Sequence, residues 1–303
     1  MNINKKKLIM IVGPTASGKT EASILISKIF NCDIISADSR QFYKEMSIGT
    51  AKPSKKDLYE VSHHFINNIS VKDKYSSGIF SKEVNEFLSN YFLENDYVIV
   101  VGGSGLFIDS VIYGFDDLPL VPESFRNKLN KMYKKKGLSH LLNRLKVYDP
   151  KYFKIVDKKN YRRVIRALEV SQYTNKPYSS YLTNKKKKLK NYSLEWYGLY
   201  PTKEKLRSRI NKRVDDMIKM GLFDEVKNLK KFKELNPLKS VGYTEVFSYL
   251  EGEISKKEAI DLIKINSWKY SKRQMTWFRK NKEIIWYSDG ENYFKDILEE
   301  LKF

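Results

Sequence analysis

The chain has 303 residues, enough for one large domain or two smaller ones. Its 57 lysines and arginines outnumber 36 acidic residues, giving a net charge of +21, and its 41% hydrophobic content argues against disorder. The single cysteine excludes an intramolecular disulfide and a cysteine zinc cluster. The apolar runs are too short to cross a bilayer, and the start lacks the apolar stretch of a signal peptide. We therefore expect a cytoplasmic protein that does not contact membranes.

The first part of the chain alternates between strand and helix patterns. Short apolar runs predict strands at Leu8–Val12, Asp33–Ala37 and Tyr97–Val101, with helices between them at Thr20–Phe30 and Phe80–Leu93. This alternation predicts an α/β fold with a parallel, doubly wound sheet, which binds its ligand at the carboxyl ends of the strands. Gly13–Thr20, Asp38 and Gly102–Gly105 all fall at those ends.

From Pro119 onward the patterns are mainly helical. We predict helices at Phe125–Leu145 (with a break at Gly137), Arg162–Tyr173, Arg207–Leu229 and Glu258–Arg279, a loop from Pro177 through the following lysines, and strands at Leu194–Leu199 and Ile284–Tyr287. These two strands return to the sheet. We therefore predict a catalytic core made of residues 1–118 and 192–303, with an inserted helical domain at residues 119–191.

The positive charge is confined to the later part of the chain. Residues 1–118 hold 13 basic and 14 acidic residues, whereas residues 119–303 hold 44 and 22. Arg126–Arg166 alone carries 15 basic residues against two acids, and Lys185–Lys188 with Lys190 adds a further run. This division favours chemistry in the first part and polyanion binding in the second. A generally lysine-rich proteome is the alternative, although it would not spare the first 118 residues.

Gly13–Thr20 fits the phosphate-loop pattern G-x-x-x-x-G-K-[ST] at every position, between a predicted strand and a predicted helix. Glycines let backbone N–H groups surround an anion, and the helix N-terminus adds its dipole. Lys19 supplies a positive charge, and the Thr20 hydroxyl is a ligand for Mg²⁺. Because the Tyr97–Val101 strand ends in Gly-Gly-Ser and not in a magnesium-binding Asp, the ligand could be any pyrophosphate. A glycine turn that binds no phosphate is the alternative.

Two side chains at neighbouring strand ends are candidates for the acceptor side of the reaction. Asp38 follows the second strand, where a carboxylate could face a nucleophile; a local N-cap or Asx-turn role is the alternative. Ser104 is the member of Gly102–Gly105 with a side-chain hydrogen bond to give, and simple tight packing is the alternative for this turn.

Arginines dominate one side of the helix predicted at Arg162–Tyr173. Arg162, Arg163 and Arg166 lie within about 100° of arc, opposite the apolar positions, and guanidinium groups bind phosphates with two hydrogen bonds. Lys272–Arg279 mixes cations, an amide and aromatic residues, which suits contact with RNA, although Trp277 and Phe278 could equally belong to the core. The pair His63–His64 does not predict a metal site, because no carboxylate partner is evident in the sequence.

Nine segments in order resemble one enzyme family, the tRNA dimethylallyltransferases or tRNA isopentenyltransferases, over nearly the whole chain. They are GPTASGKT (Gly13–Thr20), ISADSRQFY (Ile35–Tyr43), IGTAKP (Ile48–Pro53), HHF (His63–Phe65), VGGSGLFI (Val101–Ile108), RRVIRALEV (Arg162–Val170), RINKRVDDMIKMGLFDEV (Arg209–Val226), SVGYTE (Ser240–Glu245) and KRQMTWFR (Lys272–Arg279). The resemblance implies a P-loop NTPase-like parallel sheet flanked by helices, with an inserted, mostly helical tRNA-binding domain.

The resemblance also implies a reaction. A dimethylallyl group would pass from dimethylallyl diphosphate to N6 of the adenosine 3′ of the anticodon, nucleotide position 37, in tRNAs that read codons beginning with U. The implied partners are the tRNA anticodon stem-loop and dimethylallyl diphosphate, the implied cofactor is Mg²⁺ at Thr20, and we expect a monomer.

Residue by residue, the resemblance assigns three groups of positions. The catalytic group is Asp38 as general base on N6, with Lys19, Thr20, Ser104 and Arg213. The diphosphate group is Gly13, Pro14, Thr15, Ala16, Ser17, Gly18, Lys19 and Thr20. The tRNA-contacting group is Asp38, Ser39, Arg40, Gln41, Ser104, Arg126, Arg162, Arg163, Val164, Ile165, Arg166, Lys272, Arg273 and Gln274. Ser104 stands where the family has Thr, a loss of one methyl group.

Three other functions compete with this interpretation. A P-loop small-molecule kinase using ATP would account for residues 1–118 but not for the basic remainder. A non-catalytic RNA-binding protein would account for the charge but leave Asp38 and Ser104 without a role. A transferase that acts on free adenine nucleotides would leave the arginine helix and Lys272–Arg279 without a role.

Overall fold

The apolar runs of the first part form the centre of a parallel sheet. The computed structural model describes residues 6–116, 118–183, 192–288 and 293–301. Contacts between residues divide the chain into a larger unit, Met1–Ile112 with Leu189–Phe303, and a smaller unit, Tyr113–Lys188. The boundaries predicted from the sequence lie a few residues from these, and the role of the insertion in binding tRNA stays a prediction.

The larger unit contains six described strands, all parallel. They are β1 (Lys7–Val12), β2 (Ile34–Ser36), β3 (His63–His64), β4 (Tyr97–Gly102), β5 (Ser193–Leu199) and β6 (Ile285–Tyr287), in the order β3-β2-β4-β1-β5-β6. Strand β1 lies between β4 and β5, with Val12 opposite Gly102 on one side and Gly198 on the other. The carboxyl ends of β1, β2 and β4 are therefore adjacent, and the segments that follow them meet at one edge of the sheet.

Helices cover this sheet. The described helices of the larger unit are α1 (Lys19–Phe30), α2 (Lys55–Glu60), α3 (Ser77–Glu94), α4 (Gly105–Tyr113), α8 (Lys203–Lys219), α9 (Leu222–Asn228), α10 (Tyr243–Leu250), α11 (Lys256–Phe278) and α12 (Tyr293–Leu301). One buried cluster joins Ile9 and Ile11 of β1 to Ile26 of α1 and Ile297 of α12. A second cluster packs α8–α11 against the loop around Tyr43. Tyr113, the last residue of α4, falls at the start of the smaller unit.

The smaller unit is helical. It contains α5 (Glu123–Tyr148), α6 (Pro150–Ile155), α7 (Tyr161–Thr174) and a 3-10 turn at Tyr178–Tyr181. Helix α5 is interrupted at Gly137, whose φ of 74° lies in the left-handed region, so the predicted break is confirmed. The buried core of the smaller unit includes Leu141 and Leu145 of α5 and Val164 and Leu168 of α7.

The predicted parallel α/β sheet is confirmed, and the predicted helices at Thr20–Phe30, Phe80–Leu93, Arg162–Tyr173 and Glu258–Arg279 are present with ends shifted by a few residues. The prediction of one helix over Arg207–Leu229 is wrong. The chain leaves helical geometry at Gly221 (φ 97°), which separates α8 from α9. The lysine run lies outside the described residues. None of the described helices is both long and apolar enough to span a membrane.

Candidate active site

The phosphate loop connects β1 to α1. Gly13 has a φ of 148°, and a Cβ there would lie 2.4 Å from the carbonyl oxygen of Leu199, so this turn requires glycine. Gly18 precedes α1 in the left-handed region, with a φ of 96°. These conformations lead the chain from β1 into the N-terminus of a 12-residue helix, where unpaired N–H groups and the helix dipole favour an anion.

Two cations lie beside this loop. Lys19 Nζ donates to the carbonyl of Pro14 (2.5 Å), and Arg213 of α8 donates to the hydroxyl of Thr15 (3.3 Å). Burial and the charge of Arg213 lower the pKa of Lys19 to about 7, and the nearby Asp38 carboxylate opposes this shift. Burial also lowers the pKa of Arg213, against the pull of Asp38. The two cations and the carboxylate therefore act on one another, in an arrangement that an added anion would stabilise.

Asp38 and Ser104 are held together at the neighbouring strand ends. Asp38 Oδ1 accepts the backbone N–H of Arg40 (2.9 Å), which is the Asx turn named as the alternative role. The N–H of Ser39, between these two residues, donates to Ser104 Oγ (3.1 Å). The β4 turn approaches so closely that a Cβ on Gly102 would lie 2.4 Å from the carbonyl oxygen of Ala37. The local turn thus fixes the Asp38 carboxylate without removing it from the site.

One cavity joins the phosphate loop to Asp38. The residues that line it come from the loop, the strand ends, α8 and α11, and include Thr15, Lys19, Thr20, Asp38, Gln41, His63, Gly103, Arg213, Tyr270 and Gln274. A second cavity opens on the outer side of the loop and shares Lys19, Thr20, Pro53 and Arg213 with the first. The arrangement therefore places a carboxylate on one side of a cationic phosphate cradle.

Helix α11 forms a wall of the first cavity. Gln274 Oε1 accepts the backbone N–H of Thr15 (2.8 Å), and its Nε2 donates to the carbonyl of Gly103 (3.0 Å). Phe278 is buried, so it belongs to the core, whereas Lys272 and Arg273 are exposed. The ring of Trp277 packs where a Cβ on Gly105 would sit.

The arginine helix is α7 of the smaller unit. Arg162 and Arg163 are exposed, while Val164 and Ile165 are buried, as the helical spacing predicts. An RNA contact at Val164 or Ile165 would therefore not come from their side chains. Arg166 and Arg126 both pair with the carboxylate of Glu169, at 2.6 and 2.5 Å, and only 2% of that side chain is exposed.

Oxygen donors in the first cavity fit a magnesium ion. Among the described residues, no group of three or more His, Cys, Asp or Glu side chains is arranged to hold a metal. Thr20, the second residue of α1, lines the cavity together with Asp38. One or two protein oxygens completed by phosphate oxygens and water are typical of Mg²⁺ sites.

The structure shows the partners of His63 and His64, which the sequence does not indicate. His64 Nε2 lies 2.7 Å from Asp33 Oδ2, the carboxylate partner that the sequence did not reveal. His63 lines the cavity, with Nδ1 2.8 Å from the carbonyl oxygen of Val61.

The structure thus brings Lys19, Thr20, Asp38 and Arg213 to one cavity, with Ser104 one hydrogen bond away. Of the predicted contacts, Gln41 also lines the cavity, whereas Ser39 and Arg40 are not among its lining residues. Gln41 Oε1 accepts from Ser36 Oγ (2.9 Å). Sequence reasoning missed Tyr270, and it named His63 without assigning it to the site. Tyr270 precedes Gln274 by one helical turn, and that spacing is the signal that could have found it.

Comparisons with known proteins show what the whole chain resembles. The model of a family described as IPP transferase matches residues 41–281. A tRNA dimethylallyltransferase of Christiangramia forsetii is 47% identical over 94% of both chains, and one of Flavobacterium johnsoniae is 42% identical over 98% of this chain and 99% of its own. The crystal structure of a tRNA isopentenylpyrophosphate transferase from Bacillus halodurans has a TM-score of 0.73 at 34% identity, covering 98% of this chain and 96% of that one. A eukaryotic dimethylallyltransferase acting on tRNA shares the fold, with a TM-score of 0.79 at 24% identity, covering 97% of this chain and 77% of that one.

Proposed function

The chain belongs to the IPP transferase family, whose curated members it resembles at nearly full length, and on that premise we propose that it is a tRNA dimethylallyltransferase. It transfers a dimethylallyl group from dimethylallyl diphosphate to N6 of the adenosine 3′ of the anticodon, nucleotide position 37, in tRNAs that read codons beginning with U. The observation that carries the proposal is the single cavity in which a phosphate loop with two cations faces the Asp38 carboxylate.

The residues divide the work of this reaction. The bond between the allylic carbon and the diphosphate oxygen breaks, the bond from that carbon to N6 forms, and N6 gives its proton to Asp38. An adenine amine is a weak nucleophile because its lone pair is delocalised into the ring, so a carboxylate that accepts the proton assists the attack. The leaving diphosphate gains negative charge, which the loop N–H groups, Lys19 and Arg213 stabilise.

Magnesium is part of the proposal. The Thr20 hydroxyl, which lines this cavity, would hold it beside the diphosphate. When bound, Mg²⁺ neutralises charge on the leaving group.

The exposed cations are proposed to bind the tRNA. Arg162 and Arg163 of the smaller unit and Lys272 and Arg273 of α11 present their charges to solvent. Because the adenine must leave its stack to reach Asp38, affinity for the anticodon stem-loop backbone has to offset the cost of unstacking. A tRNA substrate also favours a cytoplasmic location. We also propose that the protein acts as a monomer.

Transfer of label tests the proposal. Purified protein is incubated with radiolabelled dimethylallyl diphosphate, Mg²⁺ and unmodified bulk tRNA, and the tRNA is then digested to nucleosides. We expect label in N6-isopentenyladenosine and none when the tRNA carries guanosine at position 37. Label-free tRNA together with consumption of ATP would instead support a kinase.

A further inference from the structure

Three side chains of α11 meet the loops of the active site. Tyr270, Gln274 and Trp277 are spaced by four and three residues, which places them on one face of the helix. Tyr270 and Gln274 line the cavity, and Trp277 packs against Gly105. Lys272 and Arg273, between them in sequence, are exposed. The helix therefore presents one face to the active site and another to solvent.

Gln274 connects the two substrate loops with a single amide. Its oxygen accepts from Thr15 in the phosphate loop, and its nitrogen donates to Gly103 in the turn after β4. The side chain is only 6% exposed, and a Cβ on Gly103 would lie 2.1 Å from its Nε2. Both ends of the amide are thus engaged by backbone groups, in a location shielded from solvent.

Tyr270 makes a second contact with the same turn. Its hydroxyl lies beside Ser104, and burial, with the nearby Asp38 charge, raises its pKa, so the hydroxyl keeps its proton. The guanidinium of Arg273 lies 5.8 Å from the centre of its ring. Tyr270 therefore joins the Ser104 side of the turn to the exposed face of α11.

We propose that Gln274 is a positioning residue, which holds the Gly102–Gly105 turn against the phosphate loop, with Tyr270 as its second point of support at Ser104. Gln274 is then not a tRNA contact, the role that resemblance implies for it; that role belongs to Lys272 and Arg273. This inference rests on the proposed function. Its consequence is that Gln274 sets the distance between the diphosphate and the Asp38–Ser104 acceptor side, and displacements of about 1 Å can cost about a hundredfold in rate.

The test separates catalysis from RNA binding. Gln274→Met keeps the length of the side chain and removes both hydrogen bonds, and the assay measures kcat, KM for dimethylallyl diphosphate and Kd for tRNA. We expect kcat to fall at least about tenfold while the Kd for tRNA stays within about twofold. Lys272→Gln, two residues earlier, should instead raise the Kd and KM for tRNA. Lys257→Gln, in the first turn of α11, is the neutral control.

Two further variants cover the case in which Gln274→Met fails to fold. Gln274→Glu keeps the acceptor for Thr15 but sets an oxygen against the Gly103 carbonyl, so kcat should fall with the tRNA affinity retained. Tyr270→Phe should lower kcat, and its effect should not add to that of Ser104→Ala, because both remove the same contact between the two side chains.

Clear results would overturn the inference. If Gln274→Met raises the Kd for tRNA as Lys272→Gln does, and saturating tRNA restores its rate, Gln274 is an RNA contact. If wild-type and variant rates are equal, Gln274 positions nothing. If the wild-type protein itself transfers no label, the proposed function fails, which is a different outcome.

Discussion

At the scale of single residues, the feature that sets the chemistry of the phosphate loop is the buried ammonium of Lys19. It lies near Arg213, which opposes its charge, and near Asp38, which supports it. With a pKa of about 7, half of the Lys19 side chains are neutral near neutral pH in the protein without substrate. A bound diphosphate adds negative charge beside Nζ and raises this pKa, so binding takes up a proton above about pH 7.

Calorimetry of dimethylallyl diphosphate binding tests this linkage. Titrations in two buffers with different ionisation enthalpies, from about pH 6 to about pH 9, give the number of protons taken up. We expect uptake to appear above about pH 7 and the affinity to fall as the pH rises, because more Lys19 must then be protonated for binding. Lys19→Met is the control for protonation of the ligand itself. Equal proton uptake by wild type and Lys19→Met would contradict the assignment.

Some residues of the candidate site can be recognised from the sequence and others cannot, for physical reasons. The phosphate loop is predictable because its backbone conformation requires glycines at fixed positions and the chemistry requires Lys19 and Thr20. The positions of Tyr270 and His63 in the site are not predictable from the sequence, because an aromatic or imidazole side chain on a half-buried surface is compatible with many environments. The engagement of Gln274 by two loops depends on tertiary contacts across more than 170 residues of sequence.

At the scale of elements, a buried carboxylate joins α5 to α7. Glu169 accepts from Arg126 with two hydrogen bonds and from Arg166 with one. Both arginines keep part of their surface exposed, so a phosphate could still approach them. Glu169 thus fixes two guanidinium groups that would otherwise be mobile, and the pairing ties the N-terminal turn of α5 to α7.

Replacing this carboxylate should loosen the smaller unit. Glu169→Gln keeps the shape of the side chain and removes its charge, at a cost of about 2 kcal/mol for the weakened charge-assisted hydrogen bonds. We expect amide hydrogen exchange in α5 and α7 to become more than about tenfold faster, with α1 and α3 unchanged. Glu86→Gln, an exposed acid on α3, is the matched control. Unchanged exchange in α5 and α7 would show that Glu169 does not hold the two helices together.

Elements also show where hydrophobic patterns fail. The Arg207–Leu229 pattern continues through Gly221, and periodicity alone does not report that the chain turns there. Short elements such as α2 and α6, six residues each, are too short for a period of 3.6 to be recognised. The long helices α3, α7 and α11 were predicted because each repeats its apolar face over several turns.

At the scale of the whole molecule, charge and chemistry are divided along the sequence. The first 118 residues carry no excess charge and provide the phosphate loop, Asp38 and Ser104. The basic remainder contributes Arg213 and Gln274 to the same cavity. The class of fold was predictable from alternating patterns, whereas the strand order was not, because apolar strands do not specify their neighbours. The division implies that loss of the chemical step should leave tRNA affinity intact.

Single-turnover transfer by Asp38→Asn tests this central claim most directly. Asparagine keeps an acceptor for the Arg40 N–H, so the turn survives while the base is removed. Label transfer from dimethylallyl diphosphate to tRNA should slow at least about a hundredfold, the contribution typical of a general base, with the Kd for tRNA within about twofold of wild type. A rate like that of wild type, or a loss of tRNA binding in proportion to the loss of rate, would contradict the assignment of Asp38 as the base.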